Sequence, residues 1–460
     1  MTLPALQDEI FRAYDIRGIV GAGLNADVMY WLGRVIGSEA LSIGESCLLL
    51  GADARLSSPE FTASMQEGIL AAGCDVISLG QIPTPLLYFA THTLDVHSGV
   101  MITGSHNAKD YNGVKIVFKQ QSLSDSQITI FKDRINANDF LSGKGKVTRL
   151  NIKAVYLDRV VKDLKLQRNW KVVVDCGNAI TAVVAPELFT RLGCQVIPLF
   201  CDIDGSFPNH HPDPTLEINL KQLKNRVLSS GADLGIAFDG DGDRVVLISS
   251  SGKTIDADLL LMAFVRDILP DHAGATVVFD VKSSQHLHSM VEKFRGQPLM
   301  CKSGHSFVKK AMLESDAVLG GEYSAHLFFK HRWYGFDDGL YAASRFLELM
   351  DTKKSSADDI ICTLPSSVNT PELFIAVEEQ EKFSLMEKLI HEFNLKDAAI
   401  NTLDGLRVSL QKSWGLIRAS NTTPNLVLRF EADSEDDLQH IIDQFRTELF
   451  RILPQLNIVF

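Results

Sequence analysis

Three aspartates, Asp239, Asp241 and Asp243, alternate with glycines in "DGDGDR". Carboxylates this close repel one another, and a glycine-rich loop can turn all three toward one hard cation. Mg²⁺ suits that chemistry, because it takes oxygen ligands and keeps positions open for water or phosphate. An EF-hand is excluded: its sixth position would be Arg244 rather than glycine, and its twelfth Ser250 rather than glutamate. The plain alternative, an acidic turn, leaves the repulsion without a counter-ion.

A second stretch, "MITGSHNAKDYNGVKI" (101–116), ends an apolar run in Gly104-Ser105-His106-Asn107. The acyl-transfer signature Gly-x-Ser-x-Gly is absent. A serine hydroxyl can instead carry a phosphoryl group whose charge a divalent metal and cations such as Lys115 neutralise. By itself Ser105 reads as a turn residue; a metal loop in an equivalent slot reverses that reading.

Three further loops offer ligand groups. In "GGEYSAH" (320–326), Glu322 and Ser324 alternate and can face the same vicinal hydroxyls, which suits a sugar; an ordinary polar hairpin accounts for the stretch equally well. "RASNTTPN" (418–425) joins Arg418 to Ser420, Asn421, Thr422 and Thr423, a guanidinium with several donors that can cradle a phosphate. In "KSGHSFVKKAM" (302–312), His305 opens a helical segment beside Lys302, where phosphate can dock. The adjacent histidines of "HHP" (210–212) point apart in an extended chain and read as loop residues.

The elements that must position these loops repeat. "CLLLGADARLSS" (47–58), "KVVVDCGNAI" (171–180) and "ATVVFDVKSS" (275–284) each give a buried strand, an Asp, a polar turn and a helical segment. Each is followed by a helix, a second strand and a third strand. That third strand runs into the serine loop, the "DGDGDR" loop or the "GGEYSAH" loop. The expected fold is α/β: three related mixed α/β domains, each presenting one polar loop at the carboxyl end of a strand, where open sheets bind ligands. After about residue 365 the pattern changes to alternating segments such as "NLVLRFEA" (425–432) and two helical stretches, a smaller C-terminal α+β domain. The expected boundaries are 1–150, 151–253, 254–365 and 366–460, with the serine, metal, sugar and phosphate loops in that order around a central cleft.

Bulk properties narrow the partners. A chain of 460 residues suits three or four domains, and 45% hydrophobic with 22% charged residues suits a soluble protein. A formal net charge of −12 without a long basic run argues against nucleic acid and anionic membrane as partners. Cys47, Cys74, Cys176, Cys194, Cys201, Cys301 and Cys362 are odd in number, scattered and read as small core residues in a reducing compartment. No secretory signal and no membrane span is legible, so the expected location is the cytoplasm.

Taken in order, "FRAYDIRG" (11–18), "TGSHN" with "YNGVKI", "DGDGDR", "GHSFVKK", "GEYSAH", "FFKHRWYGFDDG" (328–339) and "RASNTTPNLVLRFEA" resemble the α-D-phosphohexomutase family over the whole chain. The resemblance implies four domains around one cleft and reversible phosphoryl transfer between C1 and C6 of mannose and glucose phosphates. It implies Ser105 as a phosphoserine and Asp239, Asp241 and Asp243 as Mg²⁺ ligands together with a phosphoryl oxygen. Arg244 and Lys115 would flank the transferred group, with His326 and Lys115 the candidates for proton transfer. Glu322 and Ser324 would read the sugar O3 and O4, and Arg418, Ser420, Asn421 and Thr422 would clamp the other phosphate. Tyr14, Arg17, Lys282 and His305 match further cleft positions. Implied as well are one Mg²⁺ per chain, a hexose 1,6-bisphosphate activator, hexose phosphates as partners, and a monomer or dimer.

Two positions depart from the family pattern: Ala108 where proline commonly follows Ser-His-Asn, and Ala325 where glycine is often found. Neither removes a functional group. The rivals are a phosphoglucosamine or N-acetylglucosamine phosphate mutase of the same family, a metal-dependent sugar phosphatase using Ser105, and a sugar-phosphate-binding protein without chemistry.

Overall fold

A computed structural model describes the chain except for residues 1, 2, 5, 13, 14, 124, 125, 421, 422 and 457–460. Tyr14, Asn421 and Thr422 therefore lie outside the described residues. The threefold repeat is present. In the first unit β1 (Cys47–Ala52) pairs in parallel with β2 (Asp75–Gln81) and β3 (Gly99–Ile102), and β3 turns back antiparallel into β4 (Tyr111–Phe118). The second unit repeats this with β5 (Lys171–Asp175), β6 (Gln195–Leu199), β7 (Leu234–Phe238) and β8 (Val245–Ser249). The third does so with β9 (Thr276–Asp280), β10 (Gln297–Cys301), β11 (Leu319–Gly321) and β12 (Leu327–Phe329).

Each sheet thus holds the strand order 2-1-3-4, with only the fourth reversed. The loop between the third and fourth strands carries Ser105 in the first unit, the three aspartates in the second, and Glu322 with Ser324 in the third. The central strands are buried on both faces, which is why Leu48–Leu50, Val172–Val174 and Val277–Phe279 read as unbroken apolar runs. Helices cover them. In the first unit α1 (Ala26–Ser42) and α2 (Ser58–Ala72) cross so closely that a Cβ at Gly33 would strike the Met65 carbonyl.

One apolar core passes through all three units. It joins Leu86 and Phe89 of α3 (Thr84–Thr93) to Trp170 and Val174, and on to Trp333, Tyr341 and Phe346. The α4 helix (His305–Ser315) and α5 helix (Gly339–Lys353) close the third unit. The fourth unit is an antiparallel sheet including β13 (Leu406–Ser409), β14 (Ser413–Ala419) and β15 (Asn425–Ala432). It packs under α6 (Lys382–Glu392) and α7 (Glu435–Ile452) around a core of its own, an α+β arrangement. Among the described residues no helix is long and apolar enough to cross a membrane.

Candidate active site

Ser105 is held in the left-handed region, at φ 47°, at the end of β3. Two residues beyond β1 build its loop. Arg55, 1% exposed, donates to the carbonyl oxygens of Ser105, Asn107, Ala108 and Tyr111 at 2.7, 2.6, 2.5 and 2.9 Å. Asp53 pairs with Arg55 and accepts from Thr103 Oγ1 at 2.8 Å and from the Gly104 N–H at 3.2 Å. Removing a buried partner of this kind costs about 3–5 kcal/mol, so Arg55 and Asp53 hold the turn in place. The strain at Ser105 persists because these bonds over-determine it. The Ser105 hydroxyl lies 3.0 Å from Asp239 Oδ2 and 3.2 Å from His106 Nδ1.

Asp239, Asp241 and Asp243 are fully buried, and their oxygens converge within 4.8 Å of one another. Their cation is Lys115 of β4, whose ammonium donates to Asp241 Oδ2 at 2.7 Å and to Asp243 Oδ2. Burial opposes charge on Lys115, yet the two aspartates outweigh it and hold its proton well above the ordinary range. Lys115 and the His326 ring, 3.2 Å from Asp243, are two cations against three carboxylates, which leaves negative charge over. Burial, then Asp241 and Asp243, pushes the Asp239 carboxyl well up, and Asp241 Oδ1 is buried with no hydrogen-bond partner. A set of carboxylate oxygens with excess negative charge and an unpaired lone pair fits a hard divalent cation.

His326, from the third unit, meets this cluster. Its Nε2 lies 3.2 Å from Asp243 Oδ1, while its Nδ1 lies 3.1 Å from both Glu322 Oε2 and Ser324 Oγ. Burial alone would strip the proton from this ring; Asp243 more than offsets that and lifts the pKa to about 9. His305, whose ring centre is 5.7 Å away, goes the other way, pushed well down by burial and then by Lys309 and Lys115. Glu322 is anchored by the Gly304 N–H at 2.6 Å. Backbone bonds stitch the units together at this point, from Val245 N to Ala325 O and from Thr84 N to Asp241 O.

A cavity of about 330 Å³ collects Arg17, Ser105, Lys115, Arg244, Lys282, His305, Glu322, Ser324, His326, Arg418 and Ser420, drawn from all four units. Every described candidate of the sequence reading except exposed Lys302 lies there, or, for the aspartates, directly behind Ser105 and Lys115. Arg418 is steadied by Asp404 at 3.0 Å, and Lys282 by Glu372 at 3.1 Å. Thr423 of the expected phosphate loop lies in the cavity too, whereas sequence reasoning missed His106, Asp213, Ser303 and Glu372 on the wall, and Asp53 and Arg55 beneath it. Asp53 and Arg55 stood in the quoted repeat "GADARLSS", where only the Asp drew notice. His210 proves to be a loop residue, bonded to Asp175 at 3.2 Å.

Comparison with known proteins agrees with this assembly. Four family descriptions match in series: "Phosphoglucomutase/phosphomannomutase, alpha/beta/alpha domain I" over residues 8–142, domain II over 154–252, domain III over 256–367 and the C-terminal domain over 372–448. A phosphomannomutase/phosphoglucomutase of Pseudomonas aeruginosa is 48% identical over 457 residues, covering 99% of each chain. The chain belongs to the phosphoglucomutase/phosphomannomutase family. A phosphoglucomutase of Neisseria meningitidis is 42% identical over 442 residues, covering 95% of this chain and 96% of the relative. The crystal structure of a family protein from Burkholderia thailandensis superposes with a TM-score of 0.95 at 41% identity, covering 99% of this chain and all of that one. The family resemblance read from the motifs holds across the chain, as does the expected fold of three α/β units and a smaller C-terminal one.

Proposed function

We propose that this chain interconverts the 1- and 6-phosphates of mannose and glucose, lending a phosphoryl group from Ser105 and taking one back. The observation that carries the reading is the Ser105 hydroxyl 3.0 Å from Asp239, opening into a cavity that also holds Glu322, Ser324 and Arg418. The free hydroxyl of a hexose monophosphate attacks the phosphoryl group on Ser105; the serine P–O bond breaks and a sugar P–O bond forms. The hexose 1,6-bisphosphate then turns end over end, and its other phosphate returns to Ser105 Oγ.

Catalysis is mainly positioning and charge neutralisation. Asp239, Asp241 and Asp243 would hold one Mg²⁺, which when bound neutralises charge on the transferred group. Lys115 and Arg244 flank that group as fixed positive charges. Lys115 and His326 are the two groups we assign to proton transfer; the carboxylates beside each hold its proton, so both enter the cycle as acids. Glu322 and Ser324 bind O3 and O4, equatorial in both sugars, which admits glucose and mannose alike. Arg418 and Ser420 clamp the phosphate that is not reacting, with Arg17, Lys282 and His305 on the same wall; the family resemblance adds Asn421 and Thr422 to the clamp and Tyr14 to the substrate-binding residues. The chain's acidity and its free cysteines support a cytoplasmic enzyme acting on small molecules, as a monomer or dimer.

The test supplies mannose 1-phosphate and glucose 1-phosphate separately, with Mg²⁺ and a trace of hexose 1,6-bisphosphate. The 6-phosphate is expected from each, without net phosphate release. No 6-phosphate from either would overturn the proposal, and steady release of inorganic phosphate would assign a phosphatase instead.

A further inference from the structure

Beyond phosphoryl transfer, we propose that Cys176 and Cys201 are a redox-sensitive thiol pair, a modification site at which a peroxide closes a disulfide beneath the loop that buttresses the metal-binding aspartates. Cys176 directly follows β5 and Cys201 comes two residues after β6. These strands run parallel with Asp175 opposite Leu199, and the Cys176 N–H bonds to the Leu199 carbonyl at 3.1 Å. The two strand ends therefore bring the sulfurs to 3.4 Å. A disulfide is about 2.05 Å long, so closing it needs a movement of about 1.4 Å. Among the described residues no other two cysteine sulfurs come within hydrogen-bond distance.

The two thiols are unequal in a way that suits the reaction. Cys176 is fully buried, and burial keeps it protonated. Cys201 is partly exposed, and the hydrogen bond between the two thiols draws its pKa below the usual thiol value. The exposed partner is thus the better nucleophile and the buried one the resolving thiol. The Cys201 thiolate attacks one peroxide oxygen, the O–O bond breaks, and hydroxide leaves Cys201 as a sulfenic acid. The Cys176 sulfur then displaces the sulfenic hydroxyl as water, forming the S–S bond. In sum, two thiols give up two electrons and two protons, and the peroxide is reduced to two waters.

The consequence follows from what Cys201 is attached to. Left-handed Gly177, Asn178 and Phe200 shape both turns beside the sulfurs. Asn178 then ties the loop together: its N–H donates to Phe200 O and its Nδ2 to Asp202 O, both at 2.8 Å, and its Oδ1 accepts from Asn209 Nδ2 at 2.7 Å. The same loop ends at Pro212, whose carbonyl accepts from the Gly240 N–H at 3.1 Å, and at Asp213 on the cavity wall. Gly240 lies against the Ser105 carbonyl, where a Cβ would not fit. Pulling Cys201 toward Cys176 strains a loop that supports the second unit's aspartates.

The test oxidises the full-length, reduced protein with graded hydrogen peroxide in chelator, alkylates free thiols and maps peptides by mass spectrometry. Hydrogen exchange over residues 202–213 and turnover of glucose 1-phosphate are followed in parallel. The expected result is a Cys176–Cys201 cross-link, lighter by the two lost hydrogens, forming before any other cysteine is oxidised and reversed by dithiothreitol. Exchange in 202–213 should change with it and turnover fall several-fold, while Cys201→Ala keeps its turnover in peroxide. Independent alkylation of both thiols after oxidation, or oxidation of exposed Cys362 with this pair untouched, would overturn the site. A cross-link that leaves exchange and turnover unchanged would overturn its coupling to the catalytic loops. The cross-link and exchange are read without any assay of phosphoryl transfer, so they stand or fall separately from the proposed function.

Discussion

In the first three units apolar side chains run from one domain into the next: Leu86 and Phe89 meet Tyr156 and Trp333, which pack on toward Tyr341. The fourth unit keeps Leu406, Ile417, Leu428 and Phe445 in a core of its own. It meets the third through one small apolar contact, Val281 with Trp414 and Leu416, and a set of directional polar ones. Arg429 lies 3.7 Å over the Tyr323 ring and donates to the Lys282 carbonyl. Arg407 lies 3.8 Å over Trp414 and donates to the carbonyls of Val281 and Ser283 at 2.5 and 2.9 Å. The groups assigned to phosphoryl transfer therefore sit on a fused frame, whereas Arg418, the proposed phosphate clamp, is carried by a unit joined mainly through hydrogen bonds and cation–π contacts.

Lys115→Met strikes the fused frame and should have the largest effect. It leaves three buried carboxylates with only the His326 ring as a cation in contact, a loss of about 3–5 kcal/mol in metal-free protein, and saturating Mg²⁺ should restore part of it. Denaturant unfolding with chelator and with Mg²⁺ measures this; equal stability of variant and parent in chelator would deny the charge account.

Next in size is the contrast between His326 and His305. With its pKa raised from 6.5 to about 9, His326 contributes stability that is complete below about pH 6.5 and lost as pH rises through about 9. Imidazole NMR titration of metal-free protein should find His326 protonated at neutral pH and His305 neutral. A His326 that titrates near 6.5 would break the link to Asp243.

Arg418→Ala probes the fourth unit. Loss of a charged hydrogen-bond donor to phosphate, about 1.5–3 kcal/mol, should raise KM roughly 10- to 150-fold with a smaller change in kcat. The denaturant midpoint of the fused units should stay put; a large shift there would mean that the two regions are not separable. The smallest effect is expected of Ala325→Gly. Ala325 sits at φ 71° with its methyl buried, so relief of about 1 kcal/mol of left-handed strain is offset by the lost methyl. Stability should stay within about 1 kcal/mol in the same unfolding assay.

Much of the site was legible because its chemistry is local in sequence. Three aspartates on alternate positions and a serine after a strand need no tertiary information, and the repeat placed them in equivalent slots. The left-handed backbone at Ala325 gives a physical reason why glycine suits that position. What stayed hidden acts across the fold. Arg55 looked like an ordinary turn residue until its guanidinium was seen to bind four carbonyls some fifty residues away in sequence. Arg429 broke the apolar alternation of "NLVLRFEA", a signal that was present and had no partner to explain it until Tyr323 and Asp258 closed around it. Glu372, Asp404 and Asp213 carry no motif; only packing brings Glu372 and Asp213 to the wall and Asp404 to Arg418.

The central claim is that Ser105 both gives and receives the phosphoryl group. Intact-protein and peptide mass spectrometry of enzyme pre-loaded with hexose 1,6-bisphosphate tests it most directly. A phosphoryl group on Ser105 should appear, and it should leave on addition of glucose 1-phosphate with matching formation of bisphosphate and no inorganic phosphate. A phosphoryl group found elsewhere, or full turnover by Ser105→Ala, would contradict the account.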